Sequence, residues 1–455
     1  DTVILLTPTP SLVNLKQGAY LTPCLIWGKD FPAGFLSSPT TRRVGLVANV
    51  DLVPTVFRLF NLGLPTHIAG RAMTAGHKGE LPTLLQFETK LNTISLFRRK
   101  VLPVLLNGVA FCLPLTFLLI ILLKIPAFRP VRSILPYLWL FIVFLSALPV
   151  ALHLASQLPL TGIPSFVGAT FAIAFFLTLL SRLIHHLQQG RIRTAQLPAV
   201  ITVAPLFPLL FLAVLVPLGS IGNPALLPTS VLGHDPMLGA RFYGIGNELS
   251  GLFLGCLLGA SLWQQTKNYP KQPRWALGLF LTAVFILAPP QLGANFGAGL
   301  TAMAITMAFA FYHHQTKTFP AQQILIYLFS LFLFALVLLA FDYLFAEPEQ
   351  HSHFGLLLNS FKRRGLTAFS EVVRRKLRVN LRLLGSRWTF LFLSTVLTFT
   401  GTYWGTKKSS PRAPFFIALL GGGVGLLSND SGLVFAALFF YPLATTGLLI
   451  MLNKR

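Results

Sequence analysis

Acidic side chains are scarce in this chain, and so are charged side chains of either sign. The 455 residues include 12 Asp and Glu against 36 Lys and Arg, which gives a net charge of +24, yet only 11% of the residues are charged. The sequence has no soluble basic module of the kind that binds nucleic acid. In a chain this apolar, the excess instead indicates basic loops beside anionic lipid head groups. We therefore expect no nucleic-acid partner, and an anionic lipid or a lipid-linked substrate.

Cysteine and the common cofactor motifs are also rare or absent. The three cysteines, Cys24, Cys112 and Cys256, are scattered, which excludes a disulfide framework and gives no metal-ligand spacing. Cys112 and Cys256 lie in apolar runs, where cysteine acts as a small hydrophobic residue. There is no Walker-type phosphate loop and no haem or iron–sulfur pattern. We expect no metal and no other cofactor.

Long apolar runs dominate the chain instead. Hydrophobic residues make up 54% of it and the mean hydropathy is +0.70, and runs of about 20 residues, the length that crosses a bilayer, recur along most of it. The sequence predicts a mainly α, polytopic integral membrane protein with about 11 transmembrane helices. The predicted segments are 102–123, 134–155, 165–184, 198–218, 240–263, 275–290, 297–312, 321–345, 388–404, 413–427 and 432–450.

The charges of the connecting loops predict the orientation. The first loop carries Lys124, Arg129 and Arg132, the second, 156–164, carries no charge, and this alternation continues along most of the chain. Basic loops are typically cytoplasmic. We therefore predict a multi-pass protein of the plasma (inner) membrane, with an extracytoplasmic N-terminal domain and a cytoplasmic C-terminus.

Loop 346–387 breaks this alternation, because it is strongly basic and yet falls on the outer side. Within 361–387 the apolar residues recur at helical spacing with basic residues between them, which predicts an interfacial amphipathic helix. It would anchor on anionic lipid or form a basic wall for a polyanionic substrate. Alternatively, the count of spans is off by one and the loop is cytoplasmic. The apolar residues of this helix are Phe369, Val372, Val373, Leu377, Leu381 and Leu384.

Residues 1–97 have the pattern of a small α/β domain, and residues 98–455 form the transmembrane domain. A helix is predicted at Leu52–Leu62, capped by Asp51 and followed by Gly63. Residue 1 is Asp rather than Met and no signal peptide is visible, so we expect the sequence to begin partway through a longer product. The predicted strands are Val3–Leu6, Leu21–Trp27 and Val44–Asn49.

Three segments of this region carry a resemblance to a known family. The sequence LTPCLIWG stands at 21–28, SPTTRRVGLV at 38–47 and DLVPTV at 51–56. Together they resemble the C-terminal part of alkaline-phosphatase-superfamily domains, which end with a strand and its loop, an Arg-Pro-Gly-like turn and a helix that opens Asp-(Ile/Leu)-x-Pro-Thr. The resemblance implies a partial phosphatase-like α/β domain.

The metal ligands of that family are not visible here. Its metals need Asp and His side chains and its nucleophile is Ser or Thr, but Thr7-Pro8-Thr9-Pro10-Ser11 stands where an Asp-His-Gly motif would follow the first strand. Neither Pro nor Thr replaces a histidine ligand. We therefore interpret the domain as degenerate, and as either a binding or docking element or an inert extracytoplasmic cap.

The stretch 239–251, GARFYGIGNELSG, contains the most unusual polar residues of the apolar part. Charged groups at membrane depth are costly unless they are paired or hydrated, which makes them functional candidates. If 240–251 is helical, Arg241 and Glu248 lie on one face about two turns apart. The alternative is a buried ion pair that fixes the register of the helix.

Two further turns are predicted to share the outer face with this stretch, namely 291–297 and 428–432. We expect their polar side chains to converge there as a pocket. Glu248 or Asp430 would be the catalytic base if burial raises its pKa, and an arginine would hold a phosphate or carboxylate. The predicted substrate-binding residues are Arg241, Tyr243, Asn247, Asn295 and Asn429.

These features favour a bacterial-type inner-membrane protein that binds or processes a lipid-linked or phosphate-bearing cell-envelope substrate at the outer membrane face. A secondary transporter is an alternative, because broken spans and intramembrane charges suit it. A non-catalytic scaffold subunit of a membrane complex is another, since many glycines lie at predicted helix contacts. The sequence leaves open whether the protein is an enzyme.

Overall fold

The computed structural model describes residues 1–65, 68–191, 206–221, 226–239, 241–266, 274–314, 365–406 and 412–453, and single residues between 329 and 340. The chain is mainly helical, and the strands of the described part form two small antiparallel sheets near the N-terminus. This agrees with the predicted mainly α class.

Most of the long helices overlap predicted apolar segments. The long helices are α3 Leu81–Lys100, α4 Leu102–Leu122, α5 Leu135–Ala155, α6 Ile163–Arg191, α7 Phe207–Ile221, α8 Asn247–Thr266, α9 Arg274–Leu287, α10 Phe296–His314, α11 Leu366–Leu383, α12 Arg387–Thr406, α13 Arg412–Ser428 and α14 Gly432–Asn453. Helices α3 and α11 lie outside the predicted segments. The predicted segment 321–345 and residues 361–364 of the predicted amphipathic helix lie largely outside the described residues. Of the described remainder, 365–387, helix α11 covers Leu366–Leu383.

Four stretches are long and apolar enough to cross a membrane. They are Leu81–Leu122, Pro126–Ala155, Ile163–Leu187 and Gly432–Asn453. Several other helices are apolar but shorter, among them Ala276–Leu287 and Phe296–Phe311. The fold is therefore compatible with a membrane protein, although the described residues give four spans by length and composition rather than about eleven.

Helix α14 lies at the centre of the bundle. It is apolar along its length, and every residue from Gly432 to Met451 is buried, as expected of a helix that is hydrophobic on all sides. Helix α8 packs against it closely because Gly251 and Gly255 face the α14 backbone, where a Cβ atom would clash with the carbonyl groups of Phe435 and Phe439. Small residues allow this close approach of two backbones.

Two of the three predicted N-terminal strands are present. Strand β1, Thr2–Leu6, pairs with β2, Cys24–Gly28, and β3, Phe35–Ser37, pairs with β4, Thr74–His77. Short helices α1, Leu12–Gln17, and α2, Leu52–Leu59, complete the region. The prediction of a strand at 44–49 is wrong, because Gly45 adopts a positive φ of 81° and the chain turns there instead of extending.

Asp51 occupies the N-cap position of α2 as predicted, but its side chain makes no capping hydrogen bond. Its carboxylate is fully buried and accepts hydrogen bonds from Ser38 Oγ at 2.6 Å, Thr40 Oγ1 at 2.5 Å, Ala48 N at 2.9 Å and Arg71 N at 3.0 Å. Four donors compensate the burial of a charge. Asp51 therefore holds the 38–48 loop against the start of α2 and the chain leading to β4.

The N-terminal region joins the bundle through a continuous helical stretch. Helices α3 and α4 together form Leu81–Leu122, so the predicted boundary between residues 97 and 98 falls inside it. Ile94 and Phe97 already belong to the buried core of the bundle, with 2% and 1% of their surface exposed. Helix α3 thus ties the small sheets to the apolar helices.

Candidate functional site

Three turns meet at the end of the bundle that carries the N-terminal region. Residues 241–246 precede α8, residues 288–295 connect α9 to α10, and residues 429–431 connect α13 to α14. The first two turns are joined by a hydrogen bond from Ile245 N to Gly293 O of 2.7 Å. The third turn is joined to the start of α8 by a hydrogen bond from Asn247 Nδ2 to Ser431 Oγ, so the three turns are neighbours in space.

The condition that residues 240–251 form one helix is not met, because α8 begins at Asn247. Gly244 has a positive φ of 78° and packs directly on the carbonyl group of Gly293, and this conformation favours glycine and interrupts a helix. Arg241 therefore lies on an irregular turn above the start of α8. It does not share a helix face with Glu248.

Arg241 uses only part of its guanidinium group within the protein. Its Nη1 donates to Ile245 O at 3.1 Å and to Ala294 O at 3.3 Å. Its Nε and Nη2 donate to no residue that the structure describes, and the side chain is partly buried. A guanidinium has five N–H donors in a planar fork. Arg241 is thus held in place while one edge of the fork remains available to a ligand.

Glu248 lies in the first turn of α8, where the helix dipole stabilises a carboxylate. It forms no ion pair within the described ranges, and the basic charges that act on it most are those of Arg98 and Arg241. Its carboxylate Oε2 would lie 3.1 Å from a Cβ atom at Gly246. Arg241 and Glu248 are therefore close enough to interact electrostatically without neutralising each other in a direct ion pair.

Asn247 and Asn295 link the three turns. Asn295 is 3% exposed, and its Nδ2 lies 3.0 Å from Ile245 O, 3.1 Å from Asn247 Oδ1 and 3.0 Å from Ser250 Oγ. Asn247 Nδ2 in turn donates to Ser431 Oγ at 2.6 Å. Both amides thus already hold the turns together, and Asn295 has little capacity left for a ligand.

Asn429 and Asp430 occupy different environments although they are neighbours in sequence. Asn429 is 2% exposed and donates to Gly425 O at 2.8 Å, and its Oδ1 accepts from no described residue. The Asp430 side chain is 63% exposed and faces Arg375 at 3.6 Å and Lys376 at 3.9 Å. Asp430 therefore lacks the burial on which a general-base role depends.

Helix α11 covers the third turn with its basic face. Lys376 Nζ donates to Ser428 O, and Asn380 Oδ1 accepts from Leu433 N at 2.9 Å. Partial burial lowers the pKa of Lys376, against the opposing effect of Asp430. The predicted basic helix thus lies beside the candidate site.

The N-terminal region covers the first turn. The guanidinium of Arg42 lies 4.0 Å above the centre of the Tyr243 ring, and its Nη1 donates to Pro290 O at 2.7 Å. Arg43 Nε donates to Phe242 O at 3.2 Å, and burial lowers the pKa of Arg43. Tyr243 therefore contacts the 38–47 segment, in which the phosphatase resemblance was noted.

A buried ion pair that sequence reasoning missed lies beside this site. Arg98 of α3 binds Asp235 at 2.9 Å, and the two side chains are 15% and 6% exposed. Arg98 Nη2 also donates to Ser230 O at 2.7 Å, and Ser95 Oγ donates to Asp235 Oδ2 at 2.9 Å. The available signal was that Asp235 is the only charged residue of the loop 219–239.

Two buried histidines near this ion pair were also missed. His153 of α5 is 3% exposed and its Nδ1 lies 3.0 Å from Ser230 Oγ. His234 is 7% exposed, and neither ring nitrogen has a hydrogen-bond partner in the described part of the chain. Burial, with a contribution from the charge of Arg241, lowers the pKa of His234 to about 3. His234 is therefore neutral at pH 7.

The site offers no evident place for a metal ion. Across the described ranges, no group of three or more His, Cys, Asp or Glu side chains could hold one. The groups that converge are instead a guanidinium group, which binds anions, and carboxylate, amide and phenol groups, which form hydrogen bonds with polar head groups. No protein-family model, no curated protein and no solved structure matches this chain.

Proposed function

We propose that this protein binds or processes a lipid-linked or phosphate-bearing substrate of the cell envelope, at the outer face of the plasma (inner) membrane. The observation that carries the proposal is the available edge of Arg241, beside a carboxylate, Glu248, that has no ion-pair partner in the described chain. Arginine binds phosphate through two parallel hydrogen bonds. A half-used guanidinium in a partly buried turn is suited to that task.

The proposed orientation has about eleven spans, with the N-terminal region outside and the C-terminus inside. It follows from the alternation of basic and uncharged loops. A location in the membrane is supported by the exposed apolar side chains of the helices, such as Phe171 and Phe175 of α6 and Phe285 of α9, which suit contact with lipid. In this orientation the three turns, α11 and the N-terminal region all belong to the outer face.

The residues of the site would then divide the work. Arg241 would bind the phosphate, and Tyr243 and Asn247 would contact the remainder of the head group. If the protein is an enzyme, Glu248 is the better candidate for the general base because it is partly buried, whereas Asp430 is exposed. Asn295 and Asn429 would position the turns more than they would touch the substrate.

Helix α11 would bring an anionic lipid or the lipid part of the substrate to the site. Val373, Leu377 and Leu381 are exposed on it, with basic residues between them, as in helices that lie in the membrane interface. We propose that the degenerate phosphatase-like region is a docking element above this face. It contacts Tyr243 through Arg42, so it would border the bound head group.

The test is binding of a lipid with a terminal phosphate to the full chain reconstituted in nanodiscs. We expect Arg241→Gln to weaken binding by roughly ten- to a hundredfold, because hydrogen bonds to a charged group are lost. The matched control is Arg132→Gln, which removes the same charge from an arginine that also donates to backbone carbonyls, those of Leu123 and Lys124. Equal binding by wild type and Arg241→Gln would contradict the proposal.

Correct folding of the variant must be measured in the same preparation. If Arg241→Gln instead prevents membrane insertion, the arginine acts mainly in packing, and a scaffold role becomes the better explanation. Flux of a solute that depends on a proton or sodium gradient, measured in proteoliposomes, would favour the secondary transporter.

A further inference from the structure

The histidine at position 234 has no evident structural role. A polar group that is buried without a hydrogen bond destabilises a fold, and such groups in native proteins call for an explanation. Both ring nitrogens of His234 are buried and have no hydrogen-bond partner among the described residues. The backbone of Phe242 approaches the ring without satisfying hydrogen-bond geometry.

The other buried histidine of this region shows the contrast. His153 has almost the same exposure, but its ring is held by Ser230 Oγ at 3.0 Å. The polar atom of His153 is thus accounted for inside the protein. His234 lies four residues after Ser230 on the same loop and has no equivalent partner in the described chain.

The surroundings of His234 favour an anion. The backbone carbonyl of His234 accepts from Arg98 Nη2 at 3.3 Å, and its Cβ would lie 3.7 Å from a Cβ at Gly246, directly before α8. Arg43, Arg98 and Arg241 all act on the ring with positive charge. Three carboxylates, Asp235, Glu248 and Asp430, act in turn on Arg98 and Arg241, so the positive charge acts on the ring without giving the cluster a net excess.

The start of α8 adds a partial positive charge near the ring. The first N–H groups of a helix point outward and carry a partial positive charge, which stabilises a phosphate. Helix α8 has 20 residues, and the two glycines before it allow close packing, because Gly244 lies on the carbonyl group of Gly293 and Gly246 lies beside Glu248 and His234. The site thus combines a helix start, a half-used arginine and an unpartnered buried histidine.

We propose that His234 is a ligand of the substrate's phosphate group, and that its ring N–H and the available edge of Arg241 bind the same phosphate at the start of α8. This inference rests on the proposed function and assigns a residue to it. A neutral imidazole has one N–H to donate, which matches a phosphate oxygen. Because both nitrogens are shielded from water in the free protein, binding requires a shift of the glycine-containing 241–246 turn.

The experiment compares two substitutions of His234 in the full chain, purified in nanodiscs. His234→Leu removes the donor, whereas His234→Gln retains an N–H donor on a flexible side chain. The probes are inorganic phosphate, inorganic pyrophosphate, and a phosphate-terminated lipid incorporated in phosphatidylcholine nanodiscs. Binding of the soluble probes is measured by calorimetry, and that of the lipid by phosphorus NMR line broadening.

We expect His234→Leu to weaken binding by roughly ten- to a hundredfold, and His234→Gln to weaken it less. The matched control is His153→Leu. It removes a buried histidine of α5 that contacts the same loop through Ser230, and it should leave binding unchanged. If the soluble anions bind, a free phosphate is sufficient as the ligand. If only the lipid binds, the ligand is the phosphate of a lipid head group.

The outcomes separate this inference from the proposed function. If wild type binds a probe, Arg241→Gln loses it and both His234 variants keep full affinity, the role of His234 is overturned and the proposed function stands. If wild type binds none of the probes, the proposed function fails and this inference with it. If His234→Leu does not fold, the comparison of His234→Gln with wild type decides, because unchanged affinity there overturns the inference.

Discussion

Two arginines at the same end of the bundle are used in different ways. Arg98 binds a carboxylate at 2.9 Å and several backbone carbonyls, and its neighbour Asp235 also accepts from Ser95 and from Met237 N. Arg241 engages one nitrogen with two carbonyls, and the nearby Glu248 has no ion pair within the described chain. The same side-chain types thus form a closed network around Arg98 and an open one around Arg241.

The difference separates a structural role from a functional one. A closed network fixes the 226–239 loop against α3, because each nitrogen of the Arg98 guanidinium has an acceptor. An open network retains donors that only a ligand or water can satisfy. Charge in an apolar region is therefore not by itself a sign of a binding site, and the fraction of its donors already used is more informative.

Breaking the closed network should produce the largest loss of stability. We expect Arg98→Leu to cost about 3–5 kcal/mol of unfolding free energy, because it leaves the carboxylate of Asp235 buried without its partner. The measurement is denaturant unfolding of the full chain in detergent micelles. The double variant Arg98→Leu/Asp235→Leu should recover part of the loss, since no unpaired charge remains. A cost below about 1 kcal/mol, typical of surface pairs, would contradict the description of this pair as a structural buried one.

Acidification should lower the free energy of unfolding through His234, by slightly less than the loss expected for Arg98→Leu. Burial lowers the pKa of His234 to about 3, so the ring stays neutral in the folded protein, while it takes up a proton in the unfolded chain below its ordinary pKa of about 6.5. Its contribution to stability is therefore fully present above pH 6.5 and is lost as the pH falls. Between pH 7 and pH 4.5 the loss amounts to roughly 3 kcal/mol.

The His234→Phe variant isolates the pH-dependent contribution of His234 to stability, because phenylalanine does not titrate. We expect it to be at least as stable as wild type at pH 7, where no hydrogen bond is lost, and to lose less stability on acidification. The difference between the two unfolding curves, followed from pH 7 to pH 4.5, measures the histidine alone. Parallel curves would mean that the pKa of His234 in the folded protein is close to its value in the unfolded chain, which would contradict the description of the ring as buried and neutral.

The sequence predicted the helices better than it predicted the site. Apolar runs mark buried or lipid-facing helices directly, which is why α14, for example, lies close to the predicted segment 432–450. The start of α8 was misplaced, because the apolar pattern does not register that Gly244 packs on Gly293 from another turn. The length of a span was also not determined by the apolar pattern, since several apolar helices are shorter than a membrane crossing.

The roles of single polar residues depended on contacts that are distant in sequence. Asp51 has the position of a helix cap, but Ser38 and Thr40 bind its carboxylate. Asn295 has the chemistry of a ligand-binding residue, but the 245–250 segment already uses its amide. Asp235 was visible as an isolated acid, whereas its partner Arg98 lies on a helix far earlier in the chain, so no local pattern could have joined them.

The exposed carboxylate of Asp430 should contribute least to stability. Its removal tests whether the networks around Arg98 and Arg241 differ from ordinary surface charge. Asp430→Asn removes interactions with Arg375 and Lys376 at 3.6 and 3.9 Å from a side chain that is 63% exposed. Screened pairs of this kind contribute about 0–1 kcal/mol, so the variant should unfold almost as wild type does, and the small difference should fade at 1 M salt as screening increases.

Binding of a phosphate-terminated lipid should be unchanged or slightly stronger in Asp430→Asn, because a negative charge leaves the site. A strong loss of binding or activity in a variant that remains fully folded would show that Asp430 contacts the substrate, and the open network would then extend from Arg241 across the turn between α13 and α14.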